Sequence, residues 1–274
     1  MRLILLLLTS LLCIDMIIGI TGASTSSINA PKVPSFNPSD ISGLQLWLKA
    51  DDGILDNSDN PVSVDGTAVK TWSDQSGNNN DAIQATGANQ MLWRDASNGI
   101  NGLPALENAA ANNLFMLGST QLFTNSVSVF VVWKPDSITG NKTPFNASAP
   151  YPNAFAPYVG QFYSNPRWYL GTAGMFSNQT VTVTTDPVVV TVIANTSSGN
   201  PVVPNTEYRA NGVNVPLQYA FVGSLSYPTY SSSTFQVGNS NLIGKIGEIL
   251  VYNTQLSSGD RDDVETYLIN KWGL

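Results

Sequence analysis

The sequence predicts an all-β fold, a two-sheet antiparallel jelly-roll sandwich with a short C-terminal α-helix. Short β-prone runs alternate with turn clusters along most of the chain, βαβ alternation is absent, and one amphipathic helical pattern ends the sequence. With 274 residues, 42% of them hydrophobic and 11% charged, the chain can bury a large core. We therefore expect a single folded domain.

The strand prediction depends on runs of β-branched and aromatic residues that are flanked by turn-forming residues. These runs are Leu44–Leu48, Val127–Trp133, Val181–Thr184, Val188–Ala194 and Lys245–Tyr252. In Ser126–Trp133, apolar residues occupy both alternating faces, which indicates an inner strand. The pair Asn211 and Gly212 tolerates positive φ at both central positions of a turn and predicts a tight hairpin.

The end of the chain carries the signals of a helix. Ser257 can cap its N-terminus, and aspartates in the first turn oppose the positive end of the helix dipole. An apolar stripe with the spacing i, i+3, i+4, i+8 is formed by Val264, Tyr267, Leu268 and Trp272. This helix is expected to pack on the sandwich.

The beginning of the chain resembles a secretory signal peptide, since Met1 and Arg2 precede an apolar run and small residues follow up to Ala23. We expect residues 1–23 to be the signal peptide, 24–40 a flexible leader and 41–274 the folded domain. A retained membrane anchor is the alternative, but Asp15 would cost roughly 2.5–3.5 kcal/mol near the centre of a spanning helix. The expected location is secreted or on an extracellular surface, including a virion surface, with no membrane insertion after cleavage.

Composition excludes several kinds of chemistry. The only cysteine, Cys13, lies in the predicted signal peptide, and histidine is absent. The mature chain therefore has no disulfide, no Ser-His-Asp or Cys-His nucleophile and no imidazole metal site. The formal net charge of −7, without any run of Lys or Arg, makes nucleic acid and anionic membranes unfavourable partners.

Motifs near both ends of the predicted domain are similar to a known family. The segments LWLKADDG (46–53), VKTWSDQSGNNNDA (69–82), NGLPAL (101–106) and GKIGEILVYN (244–253) resemble concanavalin A-like lectin/glucanase (laminin-G-like) domains, as does the ending YLINKWGL (267–274). The resemblance implies two stacked antiparallel sheets. It does not imply one activity, because such folds carry many different sites.

Only carboxylates remain for catalysis, and the glutamates of the mature chain are far apart in sequence, at Glu107, Glu207, Glu248 and Glu265. The resemblance implies that a retaining glycosidase would place alternating acids on one strand, about 5–5.5 Å apart. The neighbours of Glu248 on the same face of its strand are Ile246 and Leu250. We therefore expect a structural Glu248, hydrogen-bonded to a loop or backbone, and a protein that is not an enzyme. A polysaccharide-active enzyme is the alternative.

Acidic and amide side chains cluster in two predicted turns. Calcium prefers six to eight oxygen ligands from carboxylates, amides and carbonyls in flexible loops. The residues that could supply them are Asp51, Asp52, Asp74, Asn78, Asn80 and Asp81. The alternative is that these side chains close turns through hydrogen bonds to the backbone.

Aromatic residues are concentrated between Tyr151 and Tyr169, among Pro and Asn. Aromatic faces with adjacent polar groups suit sugar rings, and also protein interfaces; burial within the loop is a further alternative. The candidate carbohydrate-binding residues are Trp93, Tyr158, Tyr163, Arg167 and Trp168. The other tryptophans of the strand and helix patterns are expected in the core.

The leading hypothesis is a lectin-like module whose partner is a glycan. The main alternative is a structural or adhesive surface protein of an envelope, matrix or virion that assembles through protein contacts and can form oligomers. Candidate glycosylation sites with the Asn-x-Ser/Thr pattern are Asn141, Asn146, Asn178 and Asn195, although such triplets also arise by chance in a chain rich in these residues.

Overall fold

A computed structural model gives the fold of the chain. It describes residues 36–108, 116–118, 121–123, 126–139, 142–148, 157–162, 165–170, 175–177, 182–195, 206–219, 234–238 and 242–274. The predicted signal peptide therefore lies outside the described residues.

Strands dominate the described residues. They are β1 (Leu44–Lys49), β2 (Ile54–Leu55), β3 (Thr71–Trp72), β4 (Ala82–Ile83), β5 (Leu92–Arg94), β6 (Ala105–Asn108), β7 (Met116–Gly118), β8 (Ser126–Pro135), β9 (Phe145–Ser148), β10 (Pro157–Phe162), β11 (Asn165–Leu170), β12 (Met175–Ser177), β13 (Val188–Asn195), β14 (Thr206–Ala210), β15 (Val213–Asn214), β16 (Leu217–Tyr219), β17 (Thr234–Val237) and β18 (Gly244–Tyr252). Short 3-10 turns cover Pro38–Asp40 and Gly87–Asn89, and α1 covers Ser258–Trp272.

Two large antiparallel sheets form the sandwich, as predicted. The eight-stranded sheet has the order β15-β14-β13-β8-β18-β6-β5, with β1 also paired to β18, and the six-stranded sheet has the order β2-β3-β4-β7-β17-β9. A further four-stranded sheet, β10-β11-β12-β16, contacts β9 through β10. The main core lies between the two large sheets, with Leu46 and Val131 from one and Trp72 and Phe235 from the other. The all-β prediction is confirmed.

The strand β8 is buried on both faces, which confirms the prediction of an inner strand. Val129 and Val131 face the main core, whereas Phe130 and Val132 belong to a second core on the outer face of the same sheet. The helix α1 covers that second core with Val264, Leu268 and Trp272. Full burial of an aliphatic side chain stabilises the fold by about 1.5–3 kcal/mol, so the apolar stripe holds the helix on the sheet.

Local signals set the ends of α1. The Ser257 hydroxyl accepts a hydrogen bond from the Asp260 N–H at 3.2 Å, and Gly273 ends the helix in the left-handed conformation at φ 63°. The hairpin prediction is also confirmed, because Asn211 and Gly212 connect β14 and β15 with positive φ. The prediction of a strand over Val181–Thr184 is wrong for residues 182–184, which have no strand partner, and Val181 lies outside the described residues.

A bulge in β18 decides which side chains reach α1. The register against β8 shifts between Ile246 and Glu248, at Gly247. Ile246 therefore faces the main core, as Ile249 and Val251 do, whereas Glu248 faces the helix with Leu250. Without the extra residue, strict alternation would place Glu248 and Ile246 on the same face.

Part of the predicted leader packs on the domain. The Phe36 ring lies 6.0 Å from the Tyr267 ring, and the Pro38 carbonyl accepts a hydrogen bond from the Tyr252 hydroxyl at 3.0 Å.

Among the described residues, no helix has the length and apolar character needed to cross a membrane.

Candidate functional site

A surface cleft of about 280 Å³ lies where the turn after β1 meets β5. The turn carries Asp51 and Asp52, and β5 carries Trp93. The residues that line the cleft are Ala50, Asp51, Asp52, Gly53, Ile54, Leu55, Pro61, Val62 and Trp93. The fold therefore brings together three residues that the sequence analysis assigned to two different sites.

Trp93 is fixed at the cleft by backbone and side-chain hydrogen bonds. Its indole Nε1 donates to the Ala50 carbonyl at 2.9 Å, and its backbone N–H donates to the Thr67 carbonyl at 2.8 Å. The side chain is half-buried and packs against the main core. The indole is thus a rigid apolar wall of the cleft.

The two aspartates are exposed, and each one contacts a lysine. Asp51 lies 3.1 Å from the Lys271 ammonium, and Asp52 lies 3.3 Å from that of Lys49. The exposed fraction is 33% for the Asp51 side chain and 58% for that of Asp52, so solvent or a ligand can reach both carboxylates. Carboxylate oxygens accept hydrogen bonds from hydroxyl groups.

Glu248 has no exposed surface and shares the Lys271 ammonium with Asp51 of the cleft. Its carboxylate accepts hydrogen bonds from Trp47 Nε1 at 2.7 Å, Tyr267 Oη at 2.9 Å, Lys271 Nζ at 2.8 Å and Trp272 Nε1 at 2.9 Å. We had expected partners in a loop or the backbone, but the donors are side chains of β1 and α1. Burial, and then the Glu248 charge, raise the pKa of the Tyr267 phenol well above its usual range.

Lys271 connects this buried carboxylate to the cleft. Its ammonium contacts Glu248 at 2.8 Å and Asp51 at 3.1 Å, so two carboxylates converge on one nitrogen atom. Asp51 and Lys271 are 220 positions apart in sequence, and their spacing carries no signal of this contact. A local signal did exist for the aspartates, because Asp51 and Asp52 lie in a predicted turn after the predicted strand Leu44–Leu48.

The Asp74 loop does not lie among the residues that line the cleft. Asp74 Oδ1 accepts the backbone N–H groups of Trp47 and Ser76, and Oδ2 accepts the Ser76 hydroxyl and the Asn80 N–H, all within 3.0 Å. The Asp74 N–H donates to Asp81 at 2.8 Å. These contacts are those of an aspartate that closes a turn.

The amides of this loop bind the backbone of β1. The side chain of Asn78 donates to the Leu44 carbonyl at 2.9 Å, and that of Asn80 donates to the Gln45 carbonyl at 2.7 Å. In the part of the chain that the structure describes, no three Asp, Glu, His or Cys side chains are grouped to hold a metal. Calcium binding stays a prediction.

The other predicted sugar-binding residues lie in the four-stranded sheet. In the ladder of β10 and β11, Tyr158 is opposite Tyr169, Trp168 is opposite Val159, and Arg167 is opposite Gly160. Tyr163 lies outside the described residues. The participation of these residues in binding stays a prediction.

Two of the candidate glycosylation sites are described. Asn146 is half-buried on β9, and Asn195 ends β13 with its side-chain amide 3.2 Å from Gln255 Oε1. Asn141 and Asn178 lie outside the described residues. Glycosylation stays a prediction.

The predicted core tryptophans differ in their surroundings. Trp72, Trp133 and Trp272 are fully buried, whereas Trp47 is half-buried and donates to Glu248. The role of Trp47 as a hydrogen-bond donor was not predicted, since a tryptophan in a strand pattern is equally compatible with an apolar contact.

No model of a known protein family matches the sequence, and no curated protein matches it. Solved structures are similar in fold. A GH54 α-L-arabinofuranosidase variant soaked with 4-nitrophenyl α-L-arabinofuranoside is 12% identical, with a TM-score of 0.54, over 85% of this chain and 60% of that chain. The Trypanosoma rangeli sialidase in complex with 2,3-difluorosialic acid is 12% identical, with a TM-score of 0.45, over 84% of this chain and 33% of that one.

Domain 4 of AbnA, a GH43 extracellular arabinanase from Geobacillus stearothermophilus, in complex with arabinotriose, is 14% identical. It has a TM-score of 0.41 over 81% of this chain and 98% of that one. The likeness to the arabinofuranosidase shows a shared fold, and the two lower TM-scores support no conclusion. This chain spans about 60% of the arabinofuranosidase and about a third of the sialidase.

These findings correct the expectation that the protein is not an enzyme. The similar structures include glycoside hydrolases, so the fold gives no ground for excluding catalysis. The expectation depended on the absence of neighbouring acids in the sequence. Distance in sequence is a poor guide here, because carboxylates that are far apart in the chain can lie close together in the fold. Asp51 and Glu248 are an example, since both contact the ammonium of Lys271. The neighbours are carbohydrate-binding or carbohydrate-active β domains, and membership of the concanavalin A-like family is not confirmed.

Proposed function

We propose that this protein binds carbohydrate in the cleft formed by Asp51, Asp52 and Trp93. The observation that carries the proposal is that a fixed indole and two exposed carboxylates line one cleft. A sugar ring packs its C–H groups on apolar side chains while its hydroxyl groups need acceptors nearby. Val62 and Pro61 extend the apolar wall.

The shape of the site also supports a ligand of this kind. The volume of about 280 Å³ is just below the range of drug-sized ligand sites, which is roughly 300–1,000 Å³. Such a cleft accommodates one or two sugar units and leaves the rest of a chain in solvent.

Binding to a glycan array, followed by calorimetry on the strongest ligand, tests the proposal. A hydrogen bond to a charged group contributes about 1.5–3 kcal/mol and one between neutral groups about 0.5–1.5 kcal/mol, so Asp52→Asn, which keeps an acceptor but loses the charge, is expected to weaken binding about 10-fold. Asp262→Asn is the matched control, because its side chain is also 58% exposed and also pairs with a basic side chain. Equal affinities of both variants and the unmodified protein would contradict the proposed cleft.

The predicted aromatic residues of β10 and β11 can be tested in the same assay. We propose that Tyr158, Arg167 and Trp168 form a second glycan-binding surface, separate from the cleft, because β10 contacts β9, at the opposite edge of the six-stranded sheet from β2. Trp168→Ala is then expected to weaken glycan binding at this second surface and to leave binding in the cleft unchanged. A Trp168→Ala variant that binds every glycan as tightly as the unmodified protein would remove these residues from the proposal.

Glycoside hydrolysis is a second candidate function. Hydrolysis needs one carboxylic acid and one carboxylate, and the cleft contains two aspartates. The test is hydrolysis of 4-nitrophenyl glycosides. Hydrolysis that is lost in both Asp51→Asn and Asp52→Asn, but is kept in Asp262→Asn, would assign a glycosidase activity to the cleft. Binding without turnover would leave recognition as the function.

We further propose that the protein is exported and acts outside the cell. The support is the signal-like sequence before Ala23. Sequencing the N-terminus of the protein recovered from the medium tests this.

A stable oligomer that binds no glycan would instead favour the structural or adhesive role.

A further inference from the structure

The charge distribution around the cleft bears on which glycans it can accept. Among the nine lining residues, only Asp51 and Asp52 carry a formal charge, and both are acidic. Each aspartate pairs with a lysine, Asp51 with Lys271 and Asp52 with Lys49, but neither lysine is among the lining residues. From this distribution we infer that the cleft rejects glycans that carry carboxylate or sulfate groups. The inference depends on the proposed carbohydrate binding.

The nearest cations do not contradict this inference, because both are already occupied. Lys271 lies 2.8 Å from Glu248, which has no exposed surface. If Lys271 moved to meet an anionic ligand, it would leave a buried carboxylate without its ion pair, which is strongly unfavourable. Lys271 therefore stays with Glu248 and Asp51 when a ligand enters.

Lys49 is held by a different set of contacts. Its ammonium lies 3.3 Å from Asp52 and 4.8 Å from the centre of the Trp47 ring. The ring face attracts the cation, and Asp52 neutralises it. Neither lysine lines the cleft, so the charged groups that an acidic sugar would contact there are the two carboxylates.

Neutral sugars are not repelled by these carboxylates and can form hydrogen bonds with them. Their hydroxyl groups donate to Asp51 and Asp52 and keep the lysine contacts intact. Amino sugars in cationic form are also compatible with this site. The inference therefore concerns the exclusion of anions.

The test uses pairs of glycans that differ only in charge, such as trigalacturonic acid and its methyl ester, and sialylated glycans and their desialylated forms. The neutral member of a pair is expected to bind at least about 10-fold more tightly than the acidic one. The difference should shrink as salt rises from about 0.01 M to about 1 M, because repulsion at an exposed site is screened. The difference in affinity between the neutral and the acidic glycan should also shrink in Asp52→Asn but not in Asp262→Asn.

The outcomes separate the two proposals. An acidic glycan that binds as tightly as its neutral partner overturns the inference and leaves carbohydrate binding intact. A preference for neutral glycans that does not change with salt or with Asp52→Asn also overturns it, since the discrimination would then come from shape. Absence of binding to every glycan contradicts the proposed function, and the inference with it.

Discussion

Glu248 has no contact with solvent, so protein donors must replace the hydrogen bonds that water would supply. Removing one member of a buried ion pair costs about 3–5 kcal/mol, because the remaining charge stays buried and unpaired. We expect Glu248→Gln to lower the free energy of unfolding by about this amount, since an amide NH₂ would face the indole and ammonium donors. Urea denaturation measures the change.

A second glutamate provides the control for this substitution. Glu207 pairs with Arg261, but its side chain is 43% exposed. Exposed ion pairs contribute about 0–1 kcal/mol, so Glu207→Gln is expected to change the free energy of unfolding by no more than that. Equal losses in both variants would contradict the buried role of Glu248.

The phenol of Tyr267 predicts a dependence of stability on alkaline pH. Its pKa is raised by burial and by the Glu248 carboxylate, which favours the protonated phenol in the folded chain. The resulting stability is fully present below the unfolded pKa of about 10 and is lost as the pH rises towards the folded pKa. We expect the free energy of unfolding to fall above about pH 10, and to fall less steeply in Tyr267→Phe.

Tyr252 provides the internal comparison for this titration, because burial also raises the pKa of its phenol. Part of the alkaline slope should therefore remain in Tyr267→Phe, and Tyr252→Phe should remove a further part. An unchanged slope in both variants would show that other groups cause the alkaline loss of stability.

At the scale of elements, the bulge in β18 depends on a residue without a side chain. A Cβ atom at Gly247 would lie 2.5–2.8 Å from the Trp272 ring, so the helix would have to move. Overpacking of this kind costs about 1–3 kcal/mol, and we expect this loss of unfolding free energy in Gly247→Ala. Gly87→Ala is the control, since no heavy atom lies within 4 Å of its new Cβ and a change within about 0.5 kcal/mol is expected. Denaturation midpoints that are equal in both variants would contradict the packing of Trp272 on the bulge.

The turns after β1 and β3 provide the test of the predicted calcium. A bound ion stabilises the folded state by mass action, so a chelator is expected to lower the melting temperature and added calcium to restore it. Magnesium should restore less, because it needs a tighter octahedral site. A melting temperature that a chelator leaves unchanged would dismiss calcium and leave Asp74 as a turn-closing residue.

Local patterns predicted the elements that depend on local physics. The stripe at Val264, Leu268 and Trp272 matches the face of α1 that is buried, and the two-sided apolar pattern of β8 matches an inner strand. The run Val181–Thr184 also consists of residues with high β-propensity, but its described residues, 182–184, have no partner strand. Propensity alone does not make a strand, because pairing depends on segments that are distant in sequence.

The cleft could be predicted only in part, because its residues come together through contacts between segments that are distant in sequence. Asp51 and Asp52 were identified in a predicted turn and Trp93 as a candidate sugar-binding residue, yet their proximity depends on the pairing of β5 with β6 and of β6 with β18. The contact of Lys271 with Asp51 and Glu248 depends in addition on the bulge at Gly247. Neither long-range pairing nor a one-residue shift in alternation has a signature in a single sequence.

At the scale of the whole molecule, the eight-stranded sheet needs a cover on each face. The six-stranded sheet covers one face, and α1 covers Phe130, Val132, Val189 and Leu250 on the other. Deleting residues 257–274 would expose this second core and remove three of the four donors to Glu248. Burial of apolar surface stabilises a fold by about 25 cal/mol per Å², and the net stability of a domain is only about 5–15 kcal/mol, so exposing a whole core is strongly destabilising.

We expect the chain without residues 257–274 to lose its cooperative unfolding transition and to bind the dye ANS, as states with exposed apolar surface do. The control is the full chain with Asp263→Asn and Thr266→Ala, which changes only exposed positions of α1 and should keep the transition. Differential scanning calorimetry and ANS fluorescence measure both. A deleted chain that unfolds cooperatively at the same temperature would show that the sandwich is stable without its helix, and that Glu248 has another source of compensation.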